Sequence, residues 1–146
     1  MKNIVACLIL TLLCVGFADA QSKTKRTSSP TYTGAPETDK AFAPFISKNL
    51  GRVVYLNLTI EDTGWITDGY RGVQSMINGA KTNGIDYSYF LECDQNPNAD
   101  TAIGQCGNLV KWNESAGKLS GYFKVLRITK TGVRNYRAVF LTPVKK

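Results

Sequence analysis

Residues 53–60 read Val-Val-Tyr-Leu-Asn-Leu-Thr-Ile. Val54, Leu56, Leu58 and Ile60 alternate with Val53, Tyr55, Asn57 and Thr59. A period of two held over eight residues marks a β-strand with one face in a core. The uniformly aliphatic set is expected inside, and Tyr55 and Asn57 are expected to face outward or toward a ligand. A one-residue slip would expose all four aliphatic side chains, so the register is strongly specified.

The same period recurs downstream. Residues 85–93 set Tyr87, Tyr89 and Leu91 against Ser88 and Phe90. Residues 108–112 form a short strand candidate, 113–117 have turn composition, and Leu119 opens another strand. Residues 121–129 and 133–144 make the strongest hairpin in the chain, with Thr131-Gly132 as its turn. Its register is open, because both faces mix apolar and charged residues. Upstream, Ala41, Phe42, Phe45, Ile46 and Leu50 have helical spacing, with Asp39 as a cap and Gly51 past the end. Pro44 limits that segment to a short helix or turn. Between the strands, Tyr70, Val73, Ile77 and Ala80 suit a helix over 68–84 better than a short strand. Gly72 and Gly79 oppose it, each costing about 1 kcal/mol against Ala in a helix.

These readings make a mainly β single domain of about five or six antiparallel strands with one or two short helices. Closure into a small OB-like barrel, with a helix inserted before the final strands, would remove the exposed sheet edges and is the first expectation. A β-sandwich is the alternative.

The N-terminus reads as an address. Lys2 precedes an apolar run over residues 4–17, and Ala18-Asp19-Ala20 has the small-x-small pattern of a signal-peptide cleavage site. That run is shorter than the roughly 20 apolar residues that span a bilayer. Residues 1–20 are therefore expected to be removed, leaving a secreted or periplasmic chain with no membrane span. Leu13, not a small residue, precedes Cys14, which disfavours a lipoprotein. Residues 21–39 are rich in Ser, Thr and Pro, with Lys23, Lys25 and Arg26 clustered, and read as a flexible basic tail. Residues 40–146 are the β-rich domain. Loss of the signal removes Cys7 and Cys14, so Cys93 and Cys106 are expected to pair in an oxidising compartment.

Composition bounds the function. The chain has 146 residues, 43% hydrophobic and 20% charged, which is globular composition, and it has no histidine. Ser-His-Asp and Cys-His nucleophilic sites, histidine base catalysis and His-ligated metals are excluded. Residues 94–100 (Asp-Gln-Asn-Pro-Asn-Ala-Asp) place oxygen side chains at every second position, as the start of a calcium loop does. Ala99 and Gln105 stand where that loop needs Gly and a bidentate Glu, so the segment reads as a polar loop and no metal or cofactor is expected. Glu61–Asp62 and Glu92/Asp94 are carboxylate pairs, but a glycosidase needs a set separation across a cleft that sequence spacing does not supply. Two sequons, Asn57-Leu58-Thr59 and Asn113-Glu114-Ser115, are expected to be exposed, one on a strand face and one in a turn.

Charge is the remaining signal. Of 18 Lys and Arg, eight fall within residues 115–146, which contain no acid. Lys124, Arg127, Lys130, Arg134 and Arg137, interleaved with Tyr122 and Tyr136, are the candidate polyanion-binding residues, joining charge to aromatic surface. Strict alternation puts Lys124 and Arg127 on opposite faces, with Lys130 and Arg134 clustered at the hairpin tip. A solvated hairpin folded against the acidic middle of its own chain explains the charge more economically. Three functions follow: a small binding module for a polyanion (nucleic acid, sulfated or acidic glycan) or another glycan; a structural or inhibitory protein docking to a protein partner, for instance by a sheet edge; and a carboxylate-dependent hydrolase.

Overall fold

Eight strands, one α-helix and a 3-10 segment (Gly104–Leu109) make up the regular structure of the described residues in a computed structural model that describes residues 28–60, 64–68, 72–93, 103–132 and 135–146. In chain order the strands and the α-helix are β1 (Thr31–Gly34), α1 (Phe42–Lys48), β2 (Val53–Thr59), β3 (Gly64–Asp68), β4 (Gly72–Asn78), β5 (Asp86–Glu92), β6 (Val110–Asn113), β7 (Lys118–Lys130) and β8 (Tyr136–Pro143). All strands share one sheet in the order β1-β2-β7-β8-β5-β4-β3, with β6 pairing β7 off that path. The sheet curls into a half-barrel.

β2 forms as its alternation dictates. Val54, Leu56, Leu58 and Ile60 are buried, and Asn57 is exposed. Leu119, Phe123 and Val125 of β7, Val139 and Leu141 of β8, and Tyr89 and Leu91 of β5 join them on the concave side. Phe42, Ala43 and Ile46 of α1 fill the hollow, with the Phe42 ring 4.7 Å from that of Tyr89. Pro44 is tolerated because it lies in the first helical turn, where backbone N–H groups have no intrahelical acceptor. Cys93 and Cys106 form a disulfide with Cα atoms 4.6 Å apart, inside the range that disulfides span. No helix among the described residues is long and apolar enough to cross a membrane.

Several expectations are corrected. The sheet is mixed, since β1 pairs β2 and β5 pairs β8 in parallel. Its end strands β1 and β3 do not pair with each other, so among the described residues it is an open curled sheet. It is one sheet, which differs from a sandwich. The helix lies between β1 and β2. The described part of the expected tail is ordered structure: Thr31–Gly34 adds a strand to β2, and Tyr32 packs its ring 4.7 Å from Phe42. Such an edge strand is held by its partner's backbone, which needs no hydrophobic period. Tyr32 also donates a hydrogen bond to Asp39, whose other carboxylate oxygen accepts from the Ala41 N–H at 2.8 Å.

The helix expected over 68–84 is absent from its described residues, which form the last residue of β3, the strand β4 and most of a turn at 82–85. Asn83 and Gly84 adopt φ of 51° and 75°, and Thr82 and Ile85 exchange backbone hydrogen bonds at 2.9 Å. Asn-Gly is the strongest short-range hairpin signal, and it outweighs the helical spacing of Val73 and Ile77. Finally, β7 is a 13-residue strand, longer at both ends than the hairpin arm expected over 121–129, and five residues separate it from β8 in place of a two-residue turn.

Candidate functional site

The two edges of β7 are shared unequally. β2 lies along one edge, pairing residues 118–124. On the other, β6 pairs residues 118–121 and β8 pairs residues from 123 onward, so the junction falls at Gly121 and Tyr122. Here the surface opens into a cleft of about 400 Å³ lined by Tyr55, Tyr122, Ser120, Lys111, Lys145 and Lys146 among others. Small-molecule sites commonly occupy 300–1,000 Å³.

Alternation fixes what faces outward around this cleft. Leu119 and Phe123 point into the core, so Lys118, Ser120, Tyr122 and Lys124 point out. Register then places Tyr55 beside Tyr122, Asn57 beside Ser120 and Thr59 beside Lys118. β1 adds Thr31 and Thr33 beside Tyr55 and Asn57, and β6 adds Lys111 and Asn113 beside Ser120 and Lys118. No residue on the outward face of these four strands is acidic. The Tyr55 and Tyr122 rings are 4.9 Å apart and inclined at 58°. Lys146 holds its ammonium 4.6 Å from the centre of the Tyr122 ring and donates to Ser29 Oγ at 2.9 Å.

The candidate residues from the sequence divide. Tyr122 and Lys124 belong to this face. Arg127 does too, against strict alternation, because a bulge between Val125 and Arg127 inserts an extra residue and reverses the phase of β7. Its charge is already engaged: Nη2 lies 3.1 Å from Glu92 Oε1, and the guanidinium stands 3.7 Å over the Phe140 ring. Lys130, in phase with the buried side, sits opposite Arg137. Arg137 donates to the Tyr136 carbonyl at 2.9 Å, and Tyr136 lies beside Asp86. Arg134 lies outside the described residues. Arg127 and Lys130 therefore lie on opposite faces of β7, and the expected tip of Lys130 and Arg134 rests in part on a residue outside the described ones. Lys111, Lys145, Lys146 and Tyr55 complete the cleft; the outward phase of Tyr55 was legible, whereas Lys111 arrives through a pairing that local pattern does not encode.

A second concavity, about 890 Å³, lies between the start of α1 and the Asn83-Gly84 turn, with Glu37, Lys40 and Lys81 on its walls. Lys81 pairs with Asp86 at 3.6 Å, and no aromatic ring among the described residues lines this hollow. Among the described residues there is no cluster of three metal-ligating side chains. Residues 94–100 and the carboxylates Glu61, Asp62 and Asp94 lie outside the described residues, and Glu92 is held by Arg127. Compared with known proteins, the chain matches no family model, no curated protein sequence and no solved structure.

Proposed function

We propose that the chain is a secreted or periplasmic binding module whose ligand is an acidic glycan, held on the outer face of β1, β2, β7 and β6. The observation that carries this reading is the acid-free face in which Lys111, Lys145 and Lys146 border a cleft containing Tyr55 and Tyr122. Lysines attract an anionic polymer over distance and release its counterions on contact. Tyrosines supply wide, rigid, amphipathic contact at low entropy cost. The rim is hydroxyl and amide, from Thr31, Thr33, Asn57 and Ser120, which suits a ligand rich in hydroxyl groups. Two rings inclined at 58° make a poor platform for consecutive stacked bases, which favours a glycan over nucleic acid. The disulfide supports an oxidising compartment.

Retention on immobilised heparin tests this. Lys111→Glu with Lys146→Glu should elute at markedly lower salt than Lys130→Glu with Arg137→Glu, which changes net charge equally but lies away from the cleft. Equal elution of the two double variants would overturn the site. Tighter retention on single-stranded DNA than on heparin would overturn the ligand class. β1 and β3, the end strands of the sheet among the described residues, support a second reading, addition of a partner's strand, and that interaction would be insensitive to salt.

A further inference from the structure

Both sequons project from the face just described, a placement that spacing of 56 residues along the chain does not foretell. Asn57 is exposed on β2 directly opposite Ser120 of the cleft, and Asn113 is exposed on β6 directly opposite Lys118. Each follows the Asn-x-Thr/Ser rule with x other than Pro, the pattern of an N-glycosylation acceptor. In neither does Nδ2, the atom that carries the sugar, donate a hydrogen bond among the described residues. Asn113 uses only its Oδ1, which accepts from Ser115 Oγ at 2.9 Å and from the Ala116 N–H at 3.1 Å. A sugar on Nδ2 leaves that turn intact.

We infer that Asn57 and Asn113 are acceptors for N-linked glycans, and that a glycan on Asn57 closes the cleft. In the transfer, Nδ2 forms a bond to the anomeric carbon of a lipid-pyrophosphate-linked oligosaccharide and loses one proton. The sugar–phosphate bond breaks, and the lipid pyrophosphate leaves with its electron pair. β2 is paired on both edges, by β1 and β7, so Asn57 is modified before the sheet assembles. Closure follows from distance. Asn57 stands two residues from Tyr55, roughly 7 Å along the strand, and about 5 Å from Ser120 between Cα atoms. An N-glycan is bulky at that range and covers the rings that the ligand needs. Acceptor status stands by itself, whereas closure rests on the ligand-binding reading above.

The test expresses the full chain in a eukaryotic secretory host and, separately, in a bacterial periplasm. Intact mass should show two glycans on the eukaryotic wild type, one on Asn57→Gln, one on Asn113→Gln and none on the double variant. A wild type lacking sugar at Asn57 overturns the assignment, and cooperative unfolding of the bacterial variants confirms that each substitution leaves the fold intact. Asn113→Gln from the eukaryotic host carries its glycan on Asn57 alone. It should elute from heparin at lower salt than the same variant made in bacteria. Equal elution overturns closure. If the bacterial wild type is not retained on heparin, the ligand-binding reading fails together with closure, while the mass measurement still decides the acceptor sites.

Discussion

Leu56 and Asn57 are chain neighbours in opposite surroundings. Leu56 is fully buried between β1 and β7, and Asn57 is exposed. Leu56→Ala should cost about 2–5 kcal/mol, the transfer term plus the cavity left behind. Asn57→Ala should fall within about 0.5 kcal/mol of wild type. Urea denaturation ranks the two, and the reverse order would refute the register. Glycine gives a second comparison. Gly84 and Gly117 both have positive φ, 75° and 56°. Alanine at 84 enters open space and meets only the left-handed backbone cost of about 1–2 kcal/mol. Alanine at 117 would also place its Cβ 2.5 Å from the Ile60 carbonyl oxygen, which must then move. Gly117→Ala is expected to lower the urea midpoint more than Gly84→Ala does.

At the scale of elements, the disulfide closes the polypeptide between the end of β5 and the 3-10 segment Gly104–Leu109, across a sequence separation of 13. Replacing both cysteines by alanine should destabilise by about 3 kcal/mol in the chain-entropy model. Alkylation should find Cys93 and Cys106 blocked in the oxidised protein and both free after reduction. The pairing was legible because, with Cys7 and Cys14 in the segment expected to be removed, Cys93 and Cys106 have only each other to pair with. The phase of Arg127 was not legible. Its face depends on one inserted residue, and a bulge registers only against the strands that flank it. The Asn83-Gly84 turn was written in the chain and was obscured by the competing helical spacing of Tyr70, Val73, Ile77 and Ala80 before it.

For the whole molecule, the link between the first strand and the helix, together with Tyr89 of β5, contributes a pH dependence among the described residues. Hydrogen bonds from Tyr32 and from the Ala41 N–H hold the Asp39 carboxyl below its ordinary range. A depressed carboxyl contributes stability above its unfolded pKa and loses it as pH falls through the folded value. Burial, aided by Asp39, raises the Tyr32 hydroxyl, and burial raises that of Tyr89. Both stay protonated in the fold after the unfolded chain would ionise, so their contribution is present below about pH 10 and is lost as pH rises beyond it. Denaturation midpoints should therefore fall on both the acid and the far alkaline side. Asp39→Asn should flatten the acid limb and Tyr89→Phe the alkaline limb. Unchanged slopes in both variants would refute these assignments.

The sequence by itself determined the β class, the buried face of β2, the disulfide pair and the outward position of Tyr55 and Asn57. Each follows from short-range alternation, which local sterics enforce wherever the chain goes, or from counting cysteine partners. Tertiary structure alone decided the parallel pairings, the order of strands, the side of the sheet to which Arg127 turns, and the meeting of Lys111, Tyr55 and Tyr122 in one cleft. These depend on which backbone edges find each other across tens of residues. An edge's hydrogen-bonding groups are the same for every amino acid except proline, so side-chain pattern carries little trace of them.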